Sequence, residues 1–426
     1  MVFVLLFYIF SAIIIGVYAC VKNNYKKHIY YLFFTIVIVF YAIYAPLVNI
    51  LEEDYHSFNV NIQYDGFVRG LAVLFTHILF INVGYFSKLF KIRQSWYSKP
   101  VVFFDKRIGF LFGFLFVLIC INAAFGQVSL FAILRGKVDV PTLGFEGKTY
   151  WIANLADSLI ILLIAMFFYN KSLKMRVTSL ALAIPLFLIL GFRYRLLLLI
   201  FGMFFLFLHK TKINIIKASK ILGVFIVTFL FFMFVSENRI QLYSMKYDDI
   251  NYDVTSFNYN SIYENSLGSI VDFGVYDGLH KGKIESDFGE TMFKYPFIII
   301  MPASFFERGV KPYPPPQIKA IDKALNVPRS YGQAVTFIGM SYYAFSLVGV
   351  ILFSFFLGKL LRVLELTNYP DPYFLVKTAV VLSLFQLYTR GYIGQFLQHL
   401  AYLYIPVYLL RRRFGKKTLH VRSPDN

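Results

Sequence analysis

Residues 177–208 read VTSLALAIPLFLILGFRYRLLLLIFGMFFLFL, an apolar run bounded by Arg176 and Lys210 whose only charges are Arg193 and Arg195. A membrane-crossing helix needs about 20 apolar residues for a hydrocarbon core of about 30 Å. The run is too long for one crossing, and both its flanks are basic. It therefore goes out and comes back, with about 15 residues, or roughly 22 Å, in each leg. The tip, Gly191-Phe192-Arg193-Tyr194-Arg195, should then lie below the outer surface in a recessed, outward-open pocket. Pro185 and Gly191 permit the irregular backbone such a site needs.

The rest of the chain is equally apolar. Of 426 residues, 58% are hydrophobic and 15% charged, against about 45–50% and about 25% in ordinary soluble domains. This excludes a secreted enzyme, a disordered scaffold and a nucleic-acid binder, despite the net charge of +19. Cys20 and Cys120 lie in separate apolar runs and offer neither a disulfide framework nor a metal site. Eleven spans are predicted, near 1–20, 29–51, 66–86, 108–125, 151–169, 177–190, 195–208, 221–236, 333–358, 374–389 and 392–410. The first could be a signal peptide with Cys20 as a lipid-attachment site. With no basic residue before it and Tyr18 at the cleavage position, an uncleaved helix fits better.

Alternate connections carry 24 Lys and Arg against four acids, whereas the opposite set begins with Glu52, Glu53, Asp54 and Asp65. Basic connections face the cytoplasm. The expected fold is an all-α polytopic membrane protein with its N-terminus outside and its C-terminus inside. Residues 1–236 hold helices 1–8, 237–332 form a large outer loop, and 333–426 hold helices 9–11 and a basic tail. Within the loop, KYPFIIIMPASFFERGVKPYPPP (294–316) is too short to span and is broken by Pro296 and Pro302. It reads as a segment dipping into the outer leaflet.

Ionisable groups at membrane depth are costly and mark function. Besides Arg193 and Arg195, the last hairpin turns at Thr389-Arg390-Gly391 and then carries Gln395, Gln398, His399 and Tyr402 on one helical face. Arg308, Lys311 and Arg329 sit on the dipping segment and its exit. Arginine keeps its charge when desolvated and grips phosphate oxygens with paired hydrogen bonds, so these residues suit a lipid phosphate. Alternatively, they snorkel to headgroups or pair with Asp157, Glu264 or Asp272. His77 with Asn82 is either a core histidine or a catalytic one. Asn154, Asp157 and Ser158 could bind sugar hydroxyls or cap a helix. Glu264, Asp272, His280 and Asp287 could each supply a base. No nucleotide or soluble-cofactor motif is present.

Three stretches carry a resemblance. Gly191-Phe192-Arg193-Tyr194-Arg195, residues 288–316, and residues 339–362 (GMSYYAFSLVGVILFSFFLGKLLR), together with Arg390-Gly391, are similar to motifs of the oligosaccharide repeat-unit polymerases, the O-antigen and capsule polymerase family of bacterial envelopes. The layout agrees over the full length. Where that family has an acid and Asn-Phe-Gly, this chain has Ser341 and Ala344-Phe345-Ser346.

The resemblance implies a glycosyltransferase of GT-C-like architecture in the bacterial plasma membrane, with its active site facing the exterior. It would join polyprenyl-diphosphate-linked repeat units without metal, nucleotide sugar or other cofactor. A chain-length regulator protein is an expected partner. Arg193 and Arg195 would hold the diphosphate and Arg390 would share its charge. Arg308, Lys311 and Arg329 would close over the glycans, and His399 or Glu264 would be the base. Rival functions are a lipid-linked oligosaccharide flippase, an O-antigen ligase and a polymer-export partner. The ninety-residue outer loop disfavours the flippase.

Overall fold

The structure is a computed structural model. It describes residues 1–88, 102–103, 105–125, 155–169, 172–189, 193–210, 266–301, 305–307, 312, 316–327, 334–365 and 373–412, with single positions at 223, 234 and 238. The chain is predominantly helical. Its helices are α1 (Val2–Lys22), α2 (Ile29–Ile38), α3 (Tyr44–Leu51), α4 (Gln63–Phe86), α5 (Asp105–Phe125), α6 (Ala156–Tyr169), α7 (Leu173–Ile189) and α8 (Arg193–Lys210). Then follow α9 (Gly268–His280), α10 (Glu290–Phe293), α11 (Tyr295–Ile300), α12 (Pro316–Leu325), α13 (Phe337–Glu365), α14 (Phe374–Arg390) and α15 (Ile393–Leu410). The described residues also hold two short antiparallel pairs, β1 (His56–Ser57) with β2 (Val60–Asn61), and β3 (Val102–Phe103) with β4 (Arg411–Arg412).

Among the described residues, four stretches are long and apolar enough to cross a membrane: Val2–Lys22, Ile29–Leu51, Gln63–Phe86 and Phe337–Glu365. Shorter apolar helices lie at Arg107–Ile121, Ala156–Tyr169 and Tyr194–His209. Ten of the eleven apolar runs thus coincide with helices; the run at 221–236 lies almost wholly outside the described residues. In the second span, α2 and α3 are joined by a π-turn at Val39–Ile43. Pro46 explains it, because a proline ring displaces the carbonyl four residues back, here that of Ala42, and donates no hydrogen bond.

Helix α4 packs along α13. Their backbones meet at two glycines: a Cβ on Gly84 would lie 2.1 Å from the Phe355 carbonyl oxygen, and one on Gly358 the same distance from that of Ile81. Small residues at such crossings are how apolar helices associate where lipid offers no hydrophobic drive. Helix α6 lies at the centre of a second group, packed by α5, α7, α8, α14 and α15. Residues 156–166 are all buried, as expected of a helix apolar on every side.

Contacts gather the basic connections together. Glu365 accepts hydrogen bonds from the amides of Tyr30 (2.6 Å) and Tyr31 (2.9 Å) and from the Tyr85 hydroxyl. Lys359 donates to the Ser87 carbonyl at 2.7 Å, Val102 pairs with Arg412, and His209 stacks on Phe374, whose ring also stacks on Phe168. Away from these, residues 270 and 326, which precede α13, meet the connection between α3 and α4. Ser57 Oγ donates to the Ile270 carbonyl, and Asn59 to that of Asn326.

Candidate functional site

Asp157 stands in the first turn of α6, where a carboxylate is favoured by the helix dipole. Arg195 stands in the first turn of α8, where a cation is not. The two meet: Arg195 Nε donates to Asp157 Oδ1 at 2.6 Å. The Tyr194 hydroxyl donates to both carboxylate oxygens, at 3.0 and 3.2 Å. From α15, His399 Nδ1 lies 3.1 Å from Asp157 Oδ2. The Arg195 guanidinium also lies over the Tyr194 ring, 5.3 Å from its centre, and that ring meets His399 edge-on. One carboxylate therefore gathers residues 38 and 242 positions away in sequence.

Arg195 is 0% exposed, Asp157 3% and His399 4%. At this depth an unpaired charge would cost several kcal/mol, so the arginine is retained only because its counter-ion is in contact. The outward-open pocket expected around Arg195 is thus corrected: the guanidinium is enclosed and neutralised by Asp157, one of the pairings left open by the sequence. His399 differs. Its Nδ1 faces Asp157, while Nε2 is buried with no hydrogen-bond partner among the described residues. A carboxylate at Nδ1 fixes the tautomer that leaves a lone pair on Nε2.

Beside this centre, Ser158 Oγ donates to the Tyr402 carbonyl at 2.6 Å, tying α6 to α15, and Gln398 reaches the Tyr402 hydroxyl at 3.4 Å. Of the polar stripe on α15, only His399 is fully buried; Gln398 and Tyr402 are half-buried and Gln395 is exposed. Arg193 is the first residue of α8. Arg390 is exposed at the last residue of α14, the end of a helix where a cation is favourable. Asn154, Glu264, Arg308, Lys311 and Arg329 lie outside the described residues.

The Arg390 turn is held by residues that precede α13. Gly391 adopts φ +53°, and a Cβ there would lie 2.5 Å from the Thr336 carbonyl oxygen, so glycine is required. Its own carbonyl accepts from Gln317 Nε2 at 3.1 Å, while the Gln317 amide donates to Thr291 Oγ1 at 3.2 Å. Thr336 is fixed in turn by Asp272, whose carboxylate accepts from its amide at 2.8 Å and its hydroxyl at 2.5 Å. Asp272 therefore caps α13 from a distant helix. Burial pushes its carboxyl up to about 7, the three hydrogen bonds from Thr336 and Gly339 opposing that shift.

Other singled-out residues have structural roles. His77 bridges Ser354 Oγ (2.7 Å) and the Tyr388 hydroxyl (3.2 Å), joining α4, α13 and α14. Asn82 accepts from the Tyr31 hydroxyl and donates to the Ala12 carbonyl. Asp287 accepts the amides of Gly289 and Thr291, capping α10, and His280 is exposed. Sequence reasoning missed Tyr194 as an Asp157 donor, Gln317, and Ser286, whose hydroxyl reaches the carbonyls of Tyr343 and Ala344. Those two carbonyls precede the break in α13 at Phe345–Ser346, and a break inside a helix frees carbonyls that something must satisfy.

Comparison of the chain with known protein families, characterised proteins and solved structures finds no match.

Proposed function

We propose that this protein is a membrane glycosyltransferase that lengthens polyprenyl-diphosphate-linked glycans at the outer face of the bacterial plasma membrane. The observation that carries the reading is the Asp157–His399 pair, with Nδ1 on the carboxylate and Nε2 unpartnered among the described residues at the end of three apolar helices. Glycosidic bond formation needs a group to take the acceptor hydroxyl's proton, and a histidine oriented by a carboxylate is built for that. The new C–O bond forms as the anomeric carbon's bond to the lipid diphosphate breaks. The bonding electrons leave with the diphosphate, and the proton goes to Nε2.

Arg195 then acts by holding Asp157 rather than by gripping phosphate. The diphosphate falls to Arg193, the first residue of α8, and to Arg390, the last of α14. A helix N-terminus and a guanidinium both favour an anion, and fixed positive groups stabilise charge as it accumulates on a leaving group. Because Nε2 is enclosed, the acceptor reaches it only when the outer ends of α8 and α15 part. The apolar composition and basic connections support an N-out, C-in arrangement of eleven spans.

A lipid extract from a deletion strain tests the reading. Carrier bearing one complete repeat unit on the outer leaflet is expected. Carrier accumulating on the inner leaflet would indicate a flippase, and long unattached chains a ligase.

A further inference from the structure

Residues 288–301 and Phe305 carry a set of exposed large apolar side chains that is separate from the long apolar helices. Phe293 (57% exposed), Phe297 (66%), Met301 (45%) and Phe305 (76%) recur every fourth residue, with Phe288 (80%) preceding them. The intervening Tyr295 and Ile298 are buried. So the segment has one face docked and one open. The docked face lies on α15 through α11, and on α13 and α15 through α10. Those helices expose apolar side chains of their own, among them Val348 and Phe356 on α13 and Ile405 on α15.

In sequence the run encloses Lys294, paired with Glu290 at 2.8 Å, and is followed by Glu307, Arg308 and Lys311. Exposed apolar side chains next to charged ones match the boundary between acyl chains and headgroups. The same segment is wired inward. Thr291 Oγ1 accepts from the Gln317 amide, and Gln317 Nε2 donates to the Gly391 carbonyl, the residue after Arg390. On its other side, the Phe293 ring meets Phe345 at the break in α13.

We propose that residues 288–301 and Phe305 form a foot seated among lipids of one leaflet by Phe293, Phe297, Met301 and Phe305, and that Gln317 links this foot to the Arg390–Gly391 turn. Gln317 is thereby a positioning residue for Arg390. The inference does not depend on glycosyltransfer.

Full-length protein in nanodiscs tests both parts. With Trp96→Phe and Trp151→Phe as background, Phe297→Trp should be quenched strongly by lipids brominated high in the acyl chain and weakly by aqueous iodide. Strong iodide quenching without bromolipid quenching would place the face in water, and disulfide-linked dimers of Phe297→Cys would assign it to a second copy. Either result overturns the foot. For the link, Arg390→Cys should react several-fold faster or slower with a polar maleimide once Gln317→Ala is added, while bromolipid quenching at 297 stays unchanged. An unaltered maleimide rate would overturn Gln317's role.

Discussion

Asp157 and Arg195 form an ion pair at 2.6 Å with both side chains enclosed, and the same carboxylate holds His399. Breaking a buried pair by removing one partner costs about 3–5 kcal/mol, whereas replacing both with apolar groups is often neutral. Asp157→Leu should therefore lower the melting temperature sharply in detergent. Adding Arg195→Met should recover most of the loss. Both variants should be inactive, since His399 loses its carboxylate in each. A double variant as unstable as the single one would mean that the pair is not what Asp157 stabilises.

His77, Ser354 and Tyr388 tie three helices through one imidazole. Tyr388→Phe leaves His77 Nε2 buried without its hydrogen-bond partner, a loss of about 1–3 kcal/mol. Thermal unfolding should show this, and polymer length in cells expressing the variant should be normal at permissive temperature. Loss of polymer from a well-folded Tyr388→Phe protein would instead make His77 part of the chemistry.

Asp272 gives a pH dependence with a definite sign. Its folded-state value, about 7, lies above its ordinary value of 3.8. Between those limits the folded protein holds a proton that the unfolded chain has released, so stability falls as pH rises from about 4 to about 7 and is flat above. Asp272→Asn keeps an acceptor for the Thr336 amide and cannot titrate. Melting curves across this range should show a slope in the parent that is absent in Asp272→Asn. Equal slopes would remove Asp272 as the source.

Ser346 sits at φ +51°, ψ −146°, where the break in α13 lies. Side chains are strained there by about 1–3 kcal/mol, and glycine is not. Ser346→Gly should be neutral or stabilising in a thermal melt, and Ser346→Val destabilising. A destabilised Ser346→Gly protein would show that the serine hydroxyl, rather than the backbone, matters at the break.

Much of the helical layout was legible because a long apolar run has one stable form in lipid, a helix that satisfies its own backbone. The run 195–208 became α8 with two residues added at each end, and 29–51 kept its bounds while Pro46 introduced an unforeseen π-turn. The ninth run extends beyond Gly358 to Glu365, because Glu365 is fixed by the amides of Tyr30 and Tyr31, a contact 335 residues long that no local pattern records. The members of the polar centre were readable singly, since Asp157, Arg195 and His399 each interrupt apolar sequence. Their convergence was not, for it depends on how α6, α8 and α15 pack. Gln317 gave no signal at all, being a polar residue in a polar loop.

The proposed glycosyl transfer between lipid-linked units rests on His399, held by Asp157. The most direct measurement mixes purified protein in vesicles with lipid-diphosphate-linked single repeat units extracted from a deletion strain. The parent protein should yield a ladder of lengthened glycans and release one lipid diphosphate per bond formed, while a folded His399→Gln protein yields neither. A full ladder from His399→Gln, or units that cross the vesicle membrane without lengthening, would contradict it.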